Sequence, residues 1–386
     1  MATQMTLFPL VGQREIWRRW QRLLTSGRLG HAHLLTGPAG IGKDSLAYRI
    51  AAAVNCEAPD SLKRPCGECP SCHRMRTLEH QAVIQIFALP RKTASKTDPM
   101  DGMKEGEIDS ISRELARKAE WPYHRLNIED ANDIRIASIR KLRKDIYLGG
   151  NPGEMKVVII LRAHRMNDEA ANALLKILEE PPDHTLFLLT TEYPDRLPDT
   201  IRSRCQVHAI PSLPWVTIRD FLVREQQVGP SDAELAARLS QGSVELARQY
   251  SGEITSEWLA LLKAIVAALC HESYAKLYEQ VEIIGDKERF DDASRQEFLS
   301  LMILFFRDLA LAEEGIVTSV WKGEIQDLTA TYPNLDAAGA VEHIETCKDA
   351  LRRKVYLPLA LTSLFLRLRA RLHGVDTASL MEAVYS

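Results

Sequence analysis

The stretch that most constrains this chain is HAHLLTGPAGIGKDS, residues 31 to 45. Its first half is a short apolar run bounded by glycine, which reads as a buried strand. The residues after Lys43, SLAYRIAAAVNC, combine helix formers with an apolar face. Strand, glycine loop and helix together are the setting a phosphate-binding loop requires, because backbone amides freed by glycine wrap phosphate at a helix start. In the pattern G-x-x-x-x-G-K-[ST], Gly37, Gly40, Gly42 and Lys43 are in place, but the hydroxyl position is Asp44. A carboxylate there brings negative charge to within a few ångströms of the phosphates it would face. Ser45 comes one place late and, on a helix, points about 100° away. The loop is thus a degenerate phosphate loop, and its residues leave open whether ADP or ATP still binds. The plainer alternative is a glycine-rich turn of no function.

At 386 residues the chain calls for two or three domains. A helix with a glycine stop is expected over residues 10 to 30. KVVIIL at 156–161 suits a central parallel strand, and TLFLLTT at 185–191 a further buried one. Between them Asn167 and Asp168 can cap a helix through AANALLKILEE, which Pro181 and Pro182 stop. Strands alternating with helices indicate an α/β layered domain with a parallel sheet over residues 1–210. Residues 90–110 are polar and read as a surface insertion or loop. Beyond Pro214 the periodicity is helical almost throughout. A small helical domain is expected over 211–250 and a larger helical bundle over 251–386.

Four of the seven cysteines, Cys56, Cys66, Cys69 and Cys72, share one short segment. Two C-x2-C knuckles with Gly and Pro in their turns place four thiolates at the reach of tetrahedral Zn²⁺, and a closed four-thiolate site is structural. Free buried thiols are the alternative. The net charge of −3 advertises neither nucleic acid nor membrane, so any basic patch must be local. No leader pattern and no apolar run of about 18 residues occurs, which points to a cytoplasmic protein without a membrane.

Several stretches combine into a resemblance: LFPLVGQ, GRLGHAHLLTGPAGIGK, the cysteine insertion, NDEAANALLKILEEPP, LLTTEYPDRLPDTIRSRC and LSQGSVELA. Together they are similar to the AAA+ clamp-loader subunits of bacterial DNA polymerase III, nearest to the delta-prime branch. The likeness is dense to about residue 250 and rests on length and helicity beyond it.

The resemblance implies an AAA+ core with an inserted zinc module at 56–72, a lid at 211–250 and an oligomerising collar at 251–386. ATP-hydrolysing relatives carry an acid pair after the third strand, where this chain has Leu161 and Arg162, and a sensor arginine where it has Glu245. With Asp44, these departures imply a non-hydrolysing subunit, since positioning and charge stabilisation do nearly all the work of phosphoryl transfer. Thr190 and Thr191 match the first sensor region and are expected to persist as structure. Arg204, in Ser203-Arg204-Cys205, matches an arginine finger that reaches into a neighbour's ATP site. The implied partners are ATP-hydrolysing gamma/tau-type subunits and a clamp-opening delta subunit in a hetero-pentamer. The sliding clamp and primer-template DNA are met through that complex. An active AAA+ motor subunit is the alternative in the same family, and a zinc-bearing nucleic-acid-binding module the alternative outside it.

Overall fold

The computed structural model describes residues 7–90, 98–147, 154–270, 274–286, 288–313 and 336–373, with single positions at 321, 325, 328 and 330. The chain divides into two compact units, residues 1–248 and 249–386.

In the first unit, five strands form one parallel sheet: β1 (Ala32–Thr36), β2 (Val83–Ile86), β3 (Lys156–Ile160), β4 (Thr185–Thr191) and β5 (Gln206–Ala209). Their order is β2-β3-β4-β1-β5, in register through pairs such as Leu34 with Leu189 and Val158 with Phe187. Every residue of β1 and β4 is buried, as strands covered on both faces must be. Alternate side chains serve opposite faces. Leu35, Val157, Ile159 and Leu188 pack with Trp20 of α1 (Arg14–Thr25) and with Leu46 and Ile50 of α2 (Lys43–Val54), beside α3 (Pro70–Arg76). Leu34, Val158, Ile160 and Leu189 pack on the other side with α5 (Ile136–Tyr147) and α6 (Asp168–Glu179), through Ile139, Leu142, Leu174 and Leu178. The expected parallel α/β core with helices on both faces is therefore present.

The α6 start is as the sequence implied: the Asn167 side chain accepts the Ala170 N–H at 2.9 Å. The short strands β2 and β5 carry too few residues for a periodic signal, and β5 lies mostly exposed at the sheet edge. Within the polar 90–110 stretch, residues 91–97 lie outside the described residues, and Glu105 opens a helix, α4 (Glu105–Glu120). Glu105 and Glu107 stand in its first turn, and the Glu107 carboxylate accepts the Lys104 N–H at 2.8 Å. Polar residues that looked like loop thus start a helix. The short helix α7 (Asp199–Arg202) precedes β5, and three helices, α8 (Trp215–Glu225), α9 (Pro230–Leu239) and α10 (Val244–Tyr250), follow it.

The second unit consists, among its described residues, of helices: α11 (Glu253–Cys270), α12 (Tyr274–Gly285), α13 (Asp292–Glu313), α14 (Ala337–Arg352) and α15 (Leu357–Leu372). Leu262, Ile265, Phe298, Met302, Phe306, Ile344, Leu361 and Phe365 are buried in it. Of the α15 arginines, Arg367 is exposed, whereas Arg369 and Arg371 are partly buried. Arg371 reaches Asp336 at 2.7 Å, and Asp336 caps α14 by accepting the Gly339 N–H. No helix among the described residues is long and apolar enough to cross a membrane.

Candidate functional site

The glycine loop leaves β1 and ends at the start of α2. Gly42, at φ 100°, is its hinge into the helix, and a Cβ there would stand 2.6 Å from the Tyr123 ring. A Cβ on Gly40 would run into the Ser243 hydroxyl. Tyr123 and Ser243 thus pack closely against the glycines of the loop. The Val244 N–H donates to the Gly40 carbonyl at 2.9 Å, tying the start of α10 onto the loop. Lys43 is turned inward and donates to the carbonyls of Gly37 (2.9 Å) and Pro38 (2.5 Å).

Asp44 faces α4, where the Lys118 ammonium meets its carboxylate at 2.6 Å. Lys118 also donates to the His124 carbonyl at 2.6 Å, and its side chain is only 1% exposed. Burial alone would push the Asp44 carboxyl up, but Lys118 and then Lys43 outweigh it and hold it below the usual carboxylate range. Ser45 donates to the Pro9 carbonyl at 2.6 Å, away from the loop, as its helical offset required.

After β3, Leu161 is buried and Arg162 adopts a left-handed backbone (φ 54°, ψ 54°). The Thr190 hydroxyl accepts the Arg162 N–H at 3.1 Å, and the Thr191 hydroxyl lies 3.0 Å from His164 Nδ1, so both threonines do structural work. The guanidiniums of Arg125 and Arg162 approach Glu192 at 3.5 and 3.9 Å. Glu245 accepts the Arg125 N–H at 2.6 Å. Burial lifts its carboxyl to about 7 in spite of Lys118 and Arg125 nearby. The cleft bounded by Gly40, Lys43, Tyr123, Arg125, Arg162 and Glu245 holds only about 30 Å³.

At the other end of α2 the four cysteine sulfurs lie within 4.8 Å of one another. Cys56 and Cys69 are 4.0 Å apart and Cys66 and Cys72 3.9 Å. Four thiolates about 2.3 Å from a central Zn²⁺ would be spaced about 3.8 Å apart, so the set fits the ion. Backbone N–H groups point at the sulfurs: those of Cys69 and Glu68 at Cys66 Sγ, and that of Cys72 at Cys69 Sγ. The Cys66 thiol is drawn down to about 7, chiefly by the Glu68 N–H. No other cluster of metal-ligating side chains occurs among the described residues.

Arg204 follows α7 at the surface and does not line the loop cleft. Its guanidinium donates to the Thr200 carbonyl at 3.1 Å and pairs with Glu179, the last residue of α6, at 2.6 Å.

Comparison with known proteins accounts for this combination. The family model described as "DNA polymerase III, delta subunit" matches residues 12–214. The DNA polymerase III delta-prime subunit of Pseudomonas aeruginosa is 34% identical over 263 residues, covering 66% of this chain and 68% of that one. The chain belongs to the DNA polymerase III clamp-loader subunit family.

The tau subunit of Bacillus subtilis is 28% identical over 335 residues, which are 81% of this chain and 52% of that protein. The tau subunit of Escherichia coli is 30% identical over 62% of this chain and 31% of its own length. The chain thus spans about half or less of these tau relatives. The glycine loop of this family member invites a nucleotide, but the residues present do not fit one. The small cleft falls short of the roughly 300 Å³ a small-molecule pocket needs, Lys43 is spent on its own loop, and an ammonium sits on Asp44.

The structure gathers Gly37, Gly40, Gly42, Lys43 and Asp44 at one site and the four cysteines at another. Sequence reasoning missed Lys118, Tyr123, Arg125 and Glu192. Lys118 lies 74 positions from Asp44, and nothing local in RKAEWPYHR marks it as a partner.

Proposed function

We propose that this clamp-loader subunit is of the non-hydrolysing delta-prime type, a stator that supports ATP-dependent loading of the sliding clamp onto primed DNA. The observation that carries this reading is the pair Asp44–Lys118: an ammonium holds the carboxylate at the place where magnesium and phosphate would meet. Leu161 and Arg162 in place of the acid pair support it, because neither residue can hold a metal or polarise water. The subunit would join gamma/tau-type ATPases and a clamp-opening delta subunit in a hetero-pentamer, with residues 211–250 as lid and 251–386 as collar. Arg204 would stabilise charge on the phosphoryl group in the neighbour's site, its guanidinium held at the surface by Glu179 and the Thr200 carbonyl. Cys56, Cys66, Cys69 and Cys72 would hold one structural Zn²⁺. The ion would supply cross-linking of the insertion to α2 and no chemistry.

The test is reconstitution with Arg204→Ala. The pentamer should assemble, while its DNA-stimulated ATPase falls about two- to tenfold, since a finger is worth about 10³ or more at its one site among several. Unchanged turnover and clamp loading would refute the finger. The similarity to tau subunits keeps an active motor as the second reading. Steady ATP turnover by the isolated chain, lost in Lys43→Ala, would establish that reading instead.

A further inference from the structure

Beside the closed loop lies a concentration of positive charge that neither loop closure nor the finger explains. Arg125, Arg162 and Arg165 line one cleft together with Asp44, Phe87 and Leu161. That cleft holds about 30 Å³ and adjoins the loop cleft of similar size, with which it shares Asp44, Arg125 and Arg162.

The negative charges around the three guanidiniums are Glu192, Asp44, Glu245 and, acting on Arg165, Asp133. Glu192 faces two of them, at 3.5 Å from Arg125 and 3.9 Å from Arg162. Asp44 is engaged by Lys118 at 2.6 Å, and burial lifts the Glu245 carboxyl to about 7. Lys43 adds a further cation at the edge. Like charges crowded in this way repel unless solvent or a counter-ion intervenes. Arg162 carries the burden: burial and Arg125 together bring its guanidinium down to about 10, with only Glu192 and Asp44 opposing. Its Nε is buried and makes no hydrogen bond, the Glu192 carboxylate standing 3.9 Å away. Its left-handed backbone costs on the order of 1–2 kcal/mol for a residue that is not glycine. A strained, half-buried arginine whose Nε meets Glu192 only beyond hydrogen-bond distance, in a cluster of its own charge, leaves a place for a closer acceptor.

We infer that Arg125, Arg162 and Arg165 form a binding site for a single phosphate-class oxyanion, taken up without magnesium at the position where ATP-hydrolysing relatives keep their metal-binding acid pair. The size agrees. A water needs about 10–15 Å³ of such space, so a cleft of about 30 Å³ is on the scale of a small ion and far too small for a nucleoside. Planar guanidiniums suit this ligand because each can offer two parallel N–H donors to two oxygens of one tetrahedral anion. Where a phosphate loop neutralises its anion with Mg²⁺, this site does so with fixed cations. The inference stands whether or not Arg204 acts as a finger.

The experiment is thermal unfolding and calorimetric titration of the full chain in EDTA at constant ionic strength, with chloride as reference. Inorganic phosphate, pyrophosphate and ADP are compared, each with and without excess Mg²⁺. Inorganic phosphate at about ten times its dissociation constant should raise Tm by roughly 2–5 °C in EDTA. ADP should bind no more tightly than inorganic phosphate or pyrophosphate. Arg125→Ala and Arg165→Ala should each weaken phosphate at least tenfold; Arg165→Ala guards against the folding defect that a change at Arg162 risks. No effect beyond chloride, a requirement for Mg²⁺, or binding unaltered in both variants would overturn the site. So would ADP binding more than tenfold tighter than phosphate and lost in Lys43→Ala, which would mark an ordinary nucleotide pocket.

Discussion

One helix separates the two sites that the sequence offers for a ligand, and its ends are opposites. At the N-terminus of α2, a loop with the glycines and lysine of a phosphate cradle is closely packed by Tyr123 and Ser243, and its Asp44 is paired with the Lys118 ammonium. Just past the C-terminus, starting at Cys56, four sulfurs lie within 4.8 Å of one another, the spacing that a metal ion among them needs. A motif can therefore keep its letters and lose its space. The cysteine cluster keeps both, because a tetrahedral donor set is useful only while its centre is free. The glycine loop keeps its conformation because the fold needs the turn from β1 into α2.

Breaking the intact end should have the larger effect. Cys72→Ser, or chelation of the wild-type chain, should lower Tm by roughly 10 °C or more, since a structural zinc contributes folding free energy directly. Scanning calorimetry beside elemental analysis checks this, with one zinc per chain expected. A metal-free chain of equal stability would remove the contrast between the ends.

At the glycine-loop end, Lys118→Ala should cost about 3 kcal/mol in urea unfolding, because it strands Asp44 beside Lys43 without its main partner. Lys118→Met combined with Asp44→Leu should recover most of that loss. A double variant as damaged as the single one would mean that Lys118 acts through packing and not as the counter-charge of Asp44.

A third effect, no larger than the second, concerns Glu245, whose carboxyl is raised from its ordinary value to about 7 by burial. The folded chain then holds this proton more tightly than the unfolded one. Stability should accordingly fall as pH rises from about 4.5 to about 7, by up to about 3 kcal/mol. Glu245→Gln keeps an acceptor for the Arg125 N–H and should flatten that slope, leaving the variant more stable than wild type at pH 8 and equal to it at pH 4. Parallel pH profiles for the two proteins would show that Glu245 titrates normally.

Much of the architecture was legible because burial writes a strong signal. KVVII and TLFLLTT are continuous apolar runs, and they are interior strands. Asn167 announced its helix through a cap that needs only three residues of context. The sheet edges were not legible: β2 and β5 have four residues each and are only partly covered. The same division runs through the sites. Cys66, Cys69 and Cys72 are near neighbours in the chain, so their spacing encodes their geometry, and Cys56 lies only ten residues before them. Asp44 was recognisable as a misplaced charge, yet its partner was not, since residues remote in sequence meet there by tertiary folding alone. Arg162 was read as the loss of an acid; that it also gathers Arg125 and Arg165 needed coordinates.

Helix α4 and the turn after it have one more implication. Besides supplying Lys118, this segment contains Glu114, 4% exposed, whose carboxylate lies 2.9 Å from Arg117 and 3.0 Å from His124 Nε2 and accepts the Asn127 N–H at 2.7 Å. Those contacts brace the bend that presents Tyr123 to the glycine loop and Arg125 to Glu245. Lys118 and Tyr123 thus come from one stretch of roughly a dozen residues, whereas Ser243 and Glu245 reach the loop from the start of α10. Two segments remote in sequence meet over the glycine loop, so its closure depends on the fold of the whole unit.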